Sequence, residues 1–246
     1  QFEAKTGVTV IYEEYESNER LDRELRTGSE AWDVVFPSDN FFVSQLRDGL
    51  YTPLKKRNIP HYYTNLDRGF LARMQTDIDP GNRFGLPYLW GTTGIAIDKA
   101  KVAEVMGPAF KFSSWAQLFD PMNLRKLQRC GVNFFDSPDE MLPLAMLALG
   151  KSPNANSTED IQAAVNLIKR AANYVQFSME DFEEGLTSGE TCVTVAWNGD
   201  VIAAFEEVDN ADNYEYIIPD EGSILWIDMV GIPANAPNPE RAHEFI

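Results

Sequence analysis

Two tryptophans stand beside carboxylates at the ends of strand-like runs: Trp197-Asn-Gly-Asp200 and Trp226-Ile-Asp228. Residues two apart in a strand point to the same face, so Trp226 and Asp228 can line one surface together. Carboxylates accept charge-assisted hydrogen bonds from ammonium groups, and indole faces offer cation–π contact while covering methylenes. A flexible diamine or triamine needs both. Glu140, in Ser137-Pro-Asp-Glu140, and Ser38, in Pro37-Ser38-Asp39 just beyond the run Asp33 to Phe36, complete the candidate set. Open α/β sheets bind ligands at the carboxyl ends of their strands, which is where Ser38 falls. Each residue also has a structural reading. Asp200 suits a helix N-cap after an Asn198-Gly199 turn, Trp226 suits a core, Ser38 suits a cap, and Glu140 fits a Ser-x-x-Glu capping box with Pro138 at the first helical position.

Other chemistries find little support in these residues. The histidines are His61 and His243, and neither has a metal or nucleophile partner at recognisable spacing. Gly150-Lys-Ser152 imitates the end of a phosphate-binding loop, but Ala145 stands where the first glycine belongs and a helical run precedes it, so it reads as a helix C-cap and loop. No Gly-rich dinucleotide fingerprint, Cys-x-x-Cys pair or calcium loop is present. Two alternatives to cation capture stay open: a carboxylate-pair hydrolase using Asp200 and Asp228 as acid and base, and the capture of an amino acid, sugar or metal chelate. An anionic ligand would want arginines or free helix N-termini, and these motifs offer carboxylates instead.

The elements that must position these groups alternate. Val8 to Tyr12 reads as a strand followed by a helix over Ser17 to Arg26, and Asp33 to Phe36 as a strand followed by a helix over Phe41 to Asp48. This is the βαβ rhythm of an open α/β sheet. Further strands are expected at Gly94 to Ile97, Val132 to Phe135, Val193 to Trp197, Tyr216 to Pro219 and Leu225 to Pro233. A helix is expected from Thr158 to Tyr174, capped by Ser157, with apolar residues from Ile161 to Val175 spaced by three and four. Any crossing between lobes must use a short segment such as Trp90-Gly-Thr-Thr-Gly94 or Asp220-Glu-Gly-Ser223.

Composition narrows the classes. The 246 residues are 44% hydrophobic and 24% charged, which excludes disorder, collagen and coiled coil. A net charge of −17 without a basic cluster excludes a nucleic-acid partner and favours cationic ones. No run approaches the roughly 18 apolar residues of a membrane helix, so direct membrane insertion is not expected. The 246 residues contain no signal peptide; they start in what reads as a helix end and stop in the amphipathic stretch Arg241 to Ile246, and are expected to be an internal fragment of a longer mature protein. Cys130 and Cys192 each precede a strand-like run, and a disulfide or two buried thiols are equally compatible with that placement.

Taken in order, Phe2-Glu-Ala-Lys-Thr-Gly-Val8, Trp32-Asp-Val-Val-Phe-Pro-Ser38, Leu86-Pro-Tyr-Leu-Trp-Gly-Thr-Thr-Gly94, Cys130-Gly-Val-Asn-Phe-Phe-Asp136, Ala196-Trp-Asn-Gly-Asp200 and Trp226-Ile-Asp228 closely resemble the periplasmic putrescine/spermidine-binding proteins of bacterial ABC importers, over essentially the whole chain. The resemblance implies an α/β, type II periplasmic-binding-protein fold. Two lobes, 1–94 with 224–246 and 95–223, would be joined by crossing hinge strands with a ligand cleft between them. It implies a monomeric periplasmic protein with no cofactor and no catalysis, which captures a polyamine and passes it to an inner-membrane permease. Glu140, Asp200 and Asp228 then resemble the family's ammonium-binding carboxylates, Trp197 and Trp226 its aromatic walls and Ser38 a first-lobe hydroxyl contact. Asp39 falls where members vary and would tune ligand choice. The family's paired cysteines, at Cys130 and Cys192, can form a disulfide. Its first strand, with further ligand contacts, lies before Gln1, and its closing helices lie beyond Ile246. The choice between putrescine and spermidine rests on cleft length and on a partner for a third charge.

Overall fold

The computed structural model describes residues 1–15 and 17–246. Two compact units emerge, Gln1–Trp90 with Trp226–Ile246, and Gly91–Leu225. The chain passes between them at Trp90/Gly91 and at Leu225/Trp226.

The second unit is built on a mixed sheet. Its strands are β1 (Gly85–Asp98, entering from the first unit), β2 (Val132–Phe134), β3 (Gln176–Phe177), β4 (Val193–Trp197) and β5 (Tyr214–Ile217), in the order β3-β2-β4-β1-β5. β2 runs parallel to β3 and β4, whereas β1 is antiparallel to both β4 and β5. The βαβ rhythm is therefore met only by β2, β3 and β4. As expected of strands covered on both faces, β2 and the first four residues of β4 are buried throughout. Trp115, Phe119, Phe134, Phe135 and Leu144 are fully buried in the core of this unit. Helices Pro138–Ala148 and Thr158–Ala171 pack against each other beside it. Ser157 caps the latter by accepting the Asp160 N–H at 3.1 Å, and the helix stops three residues before the expected Tyr174. A disulfide joins Cys130 to Cys192, Cα atoms 5.4 Å apart, just before the paired parallel strands β2 and β4. Gly94 passes directly under Tyr216, where an added Cβ would lie 2.5 Å from the ring and 2.7 Å from the Ile217 carbonyl oxygen.

In the first unit, β6 (Leu225–Gly231) pairs with β1 and carries two single bridges, Val35↔Gly231 and Ser38↔Asp228. The expected strand Asp33 to Phe36 is reduced to the first of these. Val8 to Tyr12, expected as a strand, is in no strand: a strand needs a ladder partner, and no described residue pairs with this segment. It instead borders a cavity of about 590 Å³, with Val8, Leu21, Trp32, Val34 and Phe245 among its walls. Helices Asn18–Thr27 and Asp39–Arg47 follow the two extended segments. Both histidines lie in this unit. His243 is buried, with Nε2 accepting the Lys55 N–H at 2.9 Å, so its other nitrogen carries the proton and donates to the Pro239 carbonyl at 2.6 Å. His61 stands at the N-cap of the short helix Tyr62–Asn65.

Candidate functional site

The singled-out residues fall into two sets, one in each unit. Ser38, Asp39, Trp226 and Asp228 belong to the first, and Glu140, Trp197 and Asp200 to the second.

In the first unit, β6 alternates as its sequence requires. Ile227 and Met229 are buried, while Trp226 and Asp228 are half-buried on the other face. The Ser38↔Asp228 bridge sets Ser38 opposite the carboxylate, and Ser38 Oγ donates to Asp228 Oδ1 at 2.9 Å. Ser38 flanks helix Asp39–Arg47 at its N-cap position, yet its side chain makes no capping bond there. Its hydroxyl serves the carboxylate rather than the helix. Burial pushes the Asp228 carboxyl up from the ordinary range, and the Ser38 bond partly offsets this. Asp39 differs. Burial raises its carboxyl most, but it also accepts the Asn40 N–H at 3.1 Å, draws on the Ile227 N–H and feels the Arg73 guanidinium.

Two residues of this set were not anticipated. Asn18 Nδ2 donates to Ser38 Oγ and Asn18 Oδ1 accepts the Ser38 N–H, both at 3.1 Å. The Tyr15 hydroxyl donates to the Phe36 carbonyl; burial, then the nearby Asp228 charge, push this phenol up to about 12. Asn18 opens a helix legible in the sequence, but nothing in its spacing points twenty residues ahead to Ser38.

In the second unit, Glu140 lies in the first turn of Pro138–Ala148. The capping box expected there does not form: Ser137 makes no side-chain capping bond, and the Glu140 carboxylate turns to other donors. Thr93 Oγ1 donates to Oε2 at 2.8 Å and Trp197 Nε1 to Oε1 at 3.2 Å. Those donors are neighbours because Thr93 and Trp197 pair directly across β1 and β4. The Trp197 ring packs on Phe135 at 4.7 Å and meets Phe182 edge-on at 5.8 Å between centroids, so the wall is held from two sides. Burial raises the Glu140 carboxyl against the lowering effect of its two donors.

Asp200 is not the N-cap expected. The helix starts at Asn198 and runs to Glu206, Asp200 is its third residue, and the supposed turn is helical, with Asn198 Oδ1 accepting the Thr92 N–H at 2.9 Å. Desolvation, then the Glu183 carboxylate, raise the Asp200 carboxyl, although the residue as a whole keeps contact with solvent.

Glu140, Asp200 and Asp228 thus share one property. Each has its carboxyl raised, and no ion pair among the described residues involves any of them. The side-chain donors to Glu140 and Asp228 are the uncharged Ser38, Thr93 and Trp197. Such groups orient a carboxylate without neutralising it, and an added cation would relieve its desolvation. No group of three or more His, Cys, Asp or Glu side chains among the described residues could hold a metal ion.

A binding protein of α/β architecture, with acid and aromatic groups presented from two units, is the class these features define. Residues 1–246 match the bacterial extracellular solute-binding protein family, and the chain belongs to it. It is 37% identical over 250 residues to the putrescine-binding periplasmic protein SpuD of Pseudomonas aeruginosa, covering 100% of this chain and 68% of that one. It is 36% identical over 250 residues to the putrescine-binding periplasmic protein PotF of Escherichia coli, covering 100% of this chain and 67% of that one. Among solved structures, it superposes on the spermidine/putrescine ABC transporter substrate-binding protein PotD of Streptococcus pneumoniae with a TM-score of 0.81. That match has 25% identity and covers 100% of this chain and 71% of that one.

Proposed function

We propose that this chain is the ligand-capturing part of a periplasmic solute-binding protein that takes up a polyamine, putrescine or spermidine, and delivers it to an ABC permease. The observation that carries the reading is the set of raised carboxylates with no cationic partner among the described residues, each accompanied by an aromatic face in its unit. Glu140 and Asp200 with Trp197 receive one ammonium end, and Asp228 with Trp226 and Ser38 receives another. The relatives named for putrescine support that ligand class. Asp39 adjusts which amine is preferred, through its charge beside Asp228's strand. The protein acts as a monomer, needs no cofactor and carries out no reaction of its own. Its partner is the permease, and no nucleic acid or membrane insertion takes part; no helix among the described residues is long and apolar enough to cross a membrane.

Isothermal titration of the full-length protein, freed of endogenous ligand, tests this with putrescine, spermidine, agmatine and uncharged 1,4-butanediol. One-to-one binding of a polyamine without binding of the diol is expected. No heat from any of the amines, in a sample shown to be folded, overturns the proposal. Agmatine is included because a relative named as a putrescine/agmatine-binding protein is 34% identical to this chain; agmatine binding alone would move the ligand to another organic cation in the same fold.

A further inference from the structure

Asp228 is held by a relay that starts outside the residues assigned to the ligand. Ser38 Oγ carries a single proton, and at neutral pH the Asp228 carboxylate can only accept. Asn18 Nδ2 donates to that same Oγ at 3.1 Å, occupying a lone pair and leaving the hydroxyl proton for Asp228 Oδ1 at 2.9 Å. The Asn18 amide cannot flip without loss, because its Oδ1 accepts the Ser38 backbone N–H at 3.1 Å and a flip would set two donors against each other. Asn18 is fixed in turn as the first residue of helix Asn18–Thr27, whose N-cap Ser17 accepts the Arg20 N–H at 3.3 Å. Every link from helix to carboxylate is thus a bond with one permitted direction.

We infer that Asn18 is a positioning residue of the Asp228 site: it touches no ligand, but directs the Ser38 hydroxyl so that one carboxylate oxygen is held and the other is presented to an ammonium group. The ligand part of this inference rests on the polyamine reading above; the direction of the Ser38 proton does not. Tyr15, whose phenol stays neutral throughout the acid range, feels the Asp228 charge, and no charged side chain is among the causes of the Asp228 shift. Removing Asn18 frees the Ser38 hydroxyl to turn to other acceptors, and the bond that lowers the Asp228 pKa weakens.

The test uses the full-length protein and the variants Asn18→Ala, Asn18→Asp, Ser38→Ala, Asn18→Ala with Ser38→Ala, and Asp228→Asn. The Asp228 carboxyl is titrated by carbon-detected NMR in ligand-free protein, and putrescine affinity is followed by calorimetry across pH. Asn18→Ala is expected to move the Asp228 titration upward and to weaken putrescine roughly 3- to 10-fold, as loss of one hydrogen bond's orientation would. Asn18→Asp moves the titration further, since the Ser38 proton then has a competing carboxylate; it serves also if the alanine variant does not fold. The double variant is expected to bind no worse than Ser38→Ala alone, because Asn18 acts through Ser38. An unmoved Asp228 titration in both folded Asn18 variants overturns the inference, and so do Asn18 and Ser38 penalties that add in full. If Asp228→Asn leaves putrescine binding intact, the ligand assignment fails instead, while the NMR titration still decides the relay.

Discussion

Replacing Glu140 with Gln separates the ligand-binding role proposed for that carboxylate from what its charge costs the fold. Glu140 accepts from Trp197 Nε1 through one oxygen and from Thr93 Oγ1 through the other. In the amide, the oxygen keeps the indole donor, which can only donate. The new NH2 faces Thr93, whose hydroxyl can rotate to accept. Shape and both contacts survive, and only the charge is lost. A hydrogen bond to a charged partner contributes about 1.5–3 kcal/mol, so polyamine affinity should fall roughly 10- to 150-fold. The ligand-free protein should respond in the opposite sense. Burial raises this carboxyl in the folded state, so its charged form disfavours folding at neutral pH, and the amide removes that penalty. Calorimetry should therefore report weaker binding, and a melt of ligand-free protein at pH 7 a Tm that rises, the rise vanishing in acid where Glu140 is itself protonated. Unchanged affinity would refute the assignment of Glu140 to the ligand. A Tm that falls at pH 7 would refute the claim that its charge is unpaired.

Two further predictions concern pH and redox state. Glu140, Asp200 and Asp228 all have raised carboxyls, so in the free protein their contribution to stability is present below the unfolded pKa and is lost as pH rises through the folded values. Ammonium binding demands the ionised forms; the Tm increment given by saturating putrescine should shrink from about pH 7 to about pH 4, with proton release on binding near the lower end, and a constant increment would count against these carboxylates as ligands. Reducing the Cys130–Cys192 disulfide opens a loop of 62 residues within the second unit, and should destabilise it by about 2–4 kcal/mol, read as a Tm lower by roughly 4–16 °C in dithiothreitol or in Cys130→Ala with Cys192→Ala. An unmoved transition would show that the parallel pairing of β2 and β4 holds that region without the bridge.

How far the sequence announced this structure depended on the reach of each signal. The period of two in Trp226-Ile-Asp228 was legible because it is written into three consecutive residues, and β6 shows it as expected. The helix from Thr158 likewise carried its own cap and apolar spacing. Glu140 was ambiguous because Ser-x-x-Glu satisfies a local rule, while the donors that claim it, Thr93 and Trp197, lie 47 and 57 residues away. Asp200 was misplaced within its helix because Asn-Gly reads as a turn, whereas in the fold the helix starts at Asn198, whose Oδ1 accepts the distant Thr92 N–H. β1 was foreseen only from Gly94 to Ile97, since the Pro, Gly and Thr of its first half hide a strand that reaches from Gly85 to Asp98. Its antiparallel direction has no sequence signature at all. Val8 to Tyr12 shows the converse: its β-propensity is intact, but a ladder needs a neighbour.

Neutral donors around Glu140 and Asp228 suit the capture role proposed above. A lysine or arginine beside either carboxylate would relieve its desolvation permanently, and an arriving ammonium would then have to displace that cation. Ser38, Thr93 and Trp197 fix the carboxylate oxygens in space without neutralising the charge, so in the proposed role electrostatic gain would be withheld until ligand arrives. In that proposed role the same arrangement would couple ligand binding to stability. Burial raises the Asp39 carboxyl as well, but backbone N–H groups and the Arg73 guanidinium offset this in part. In the proposed role a cation beside Asp228 would meet an Asp39 charge already offset in part, so Asp39→Asn should alter the ranking of amines more than it lowers the affinity for any one of them.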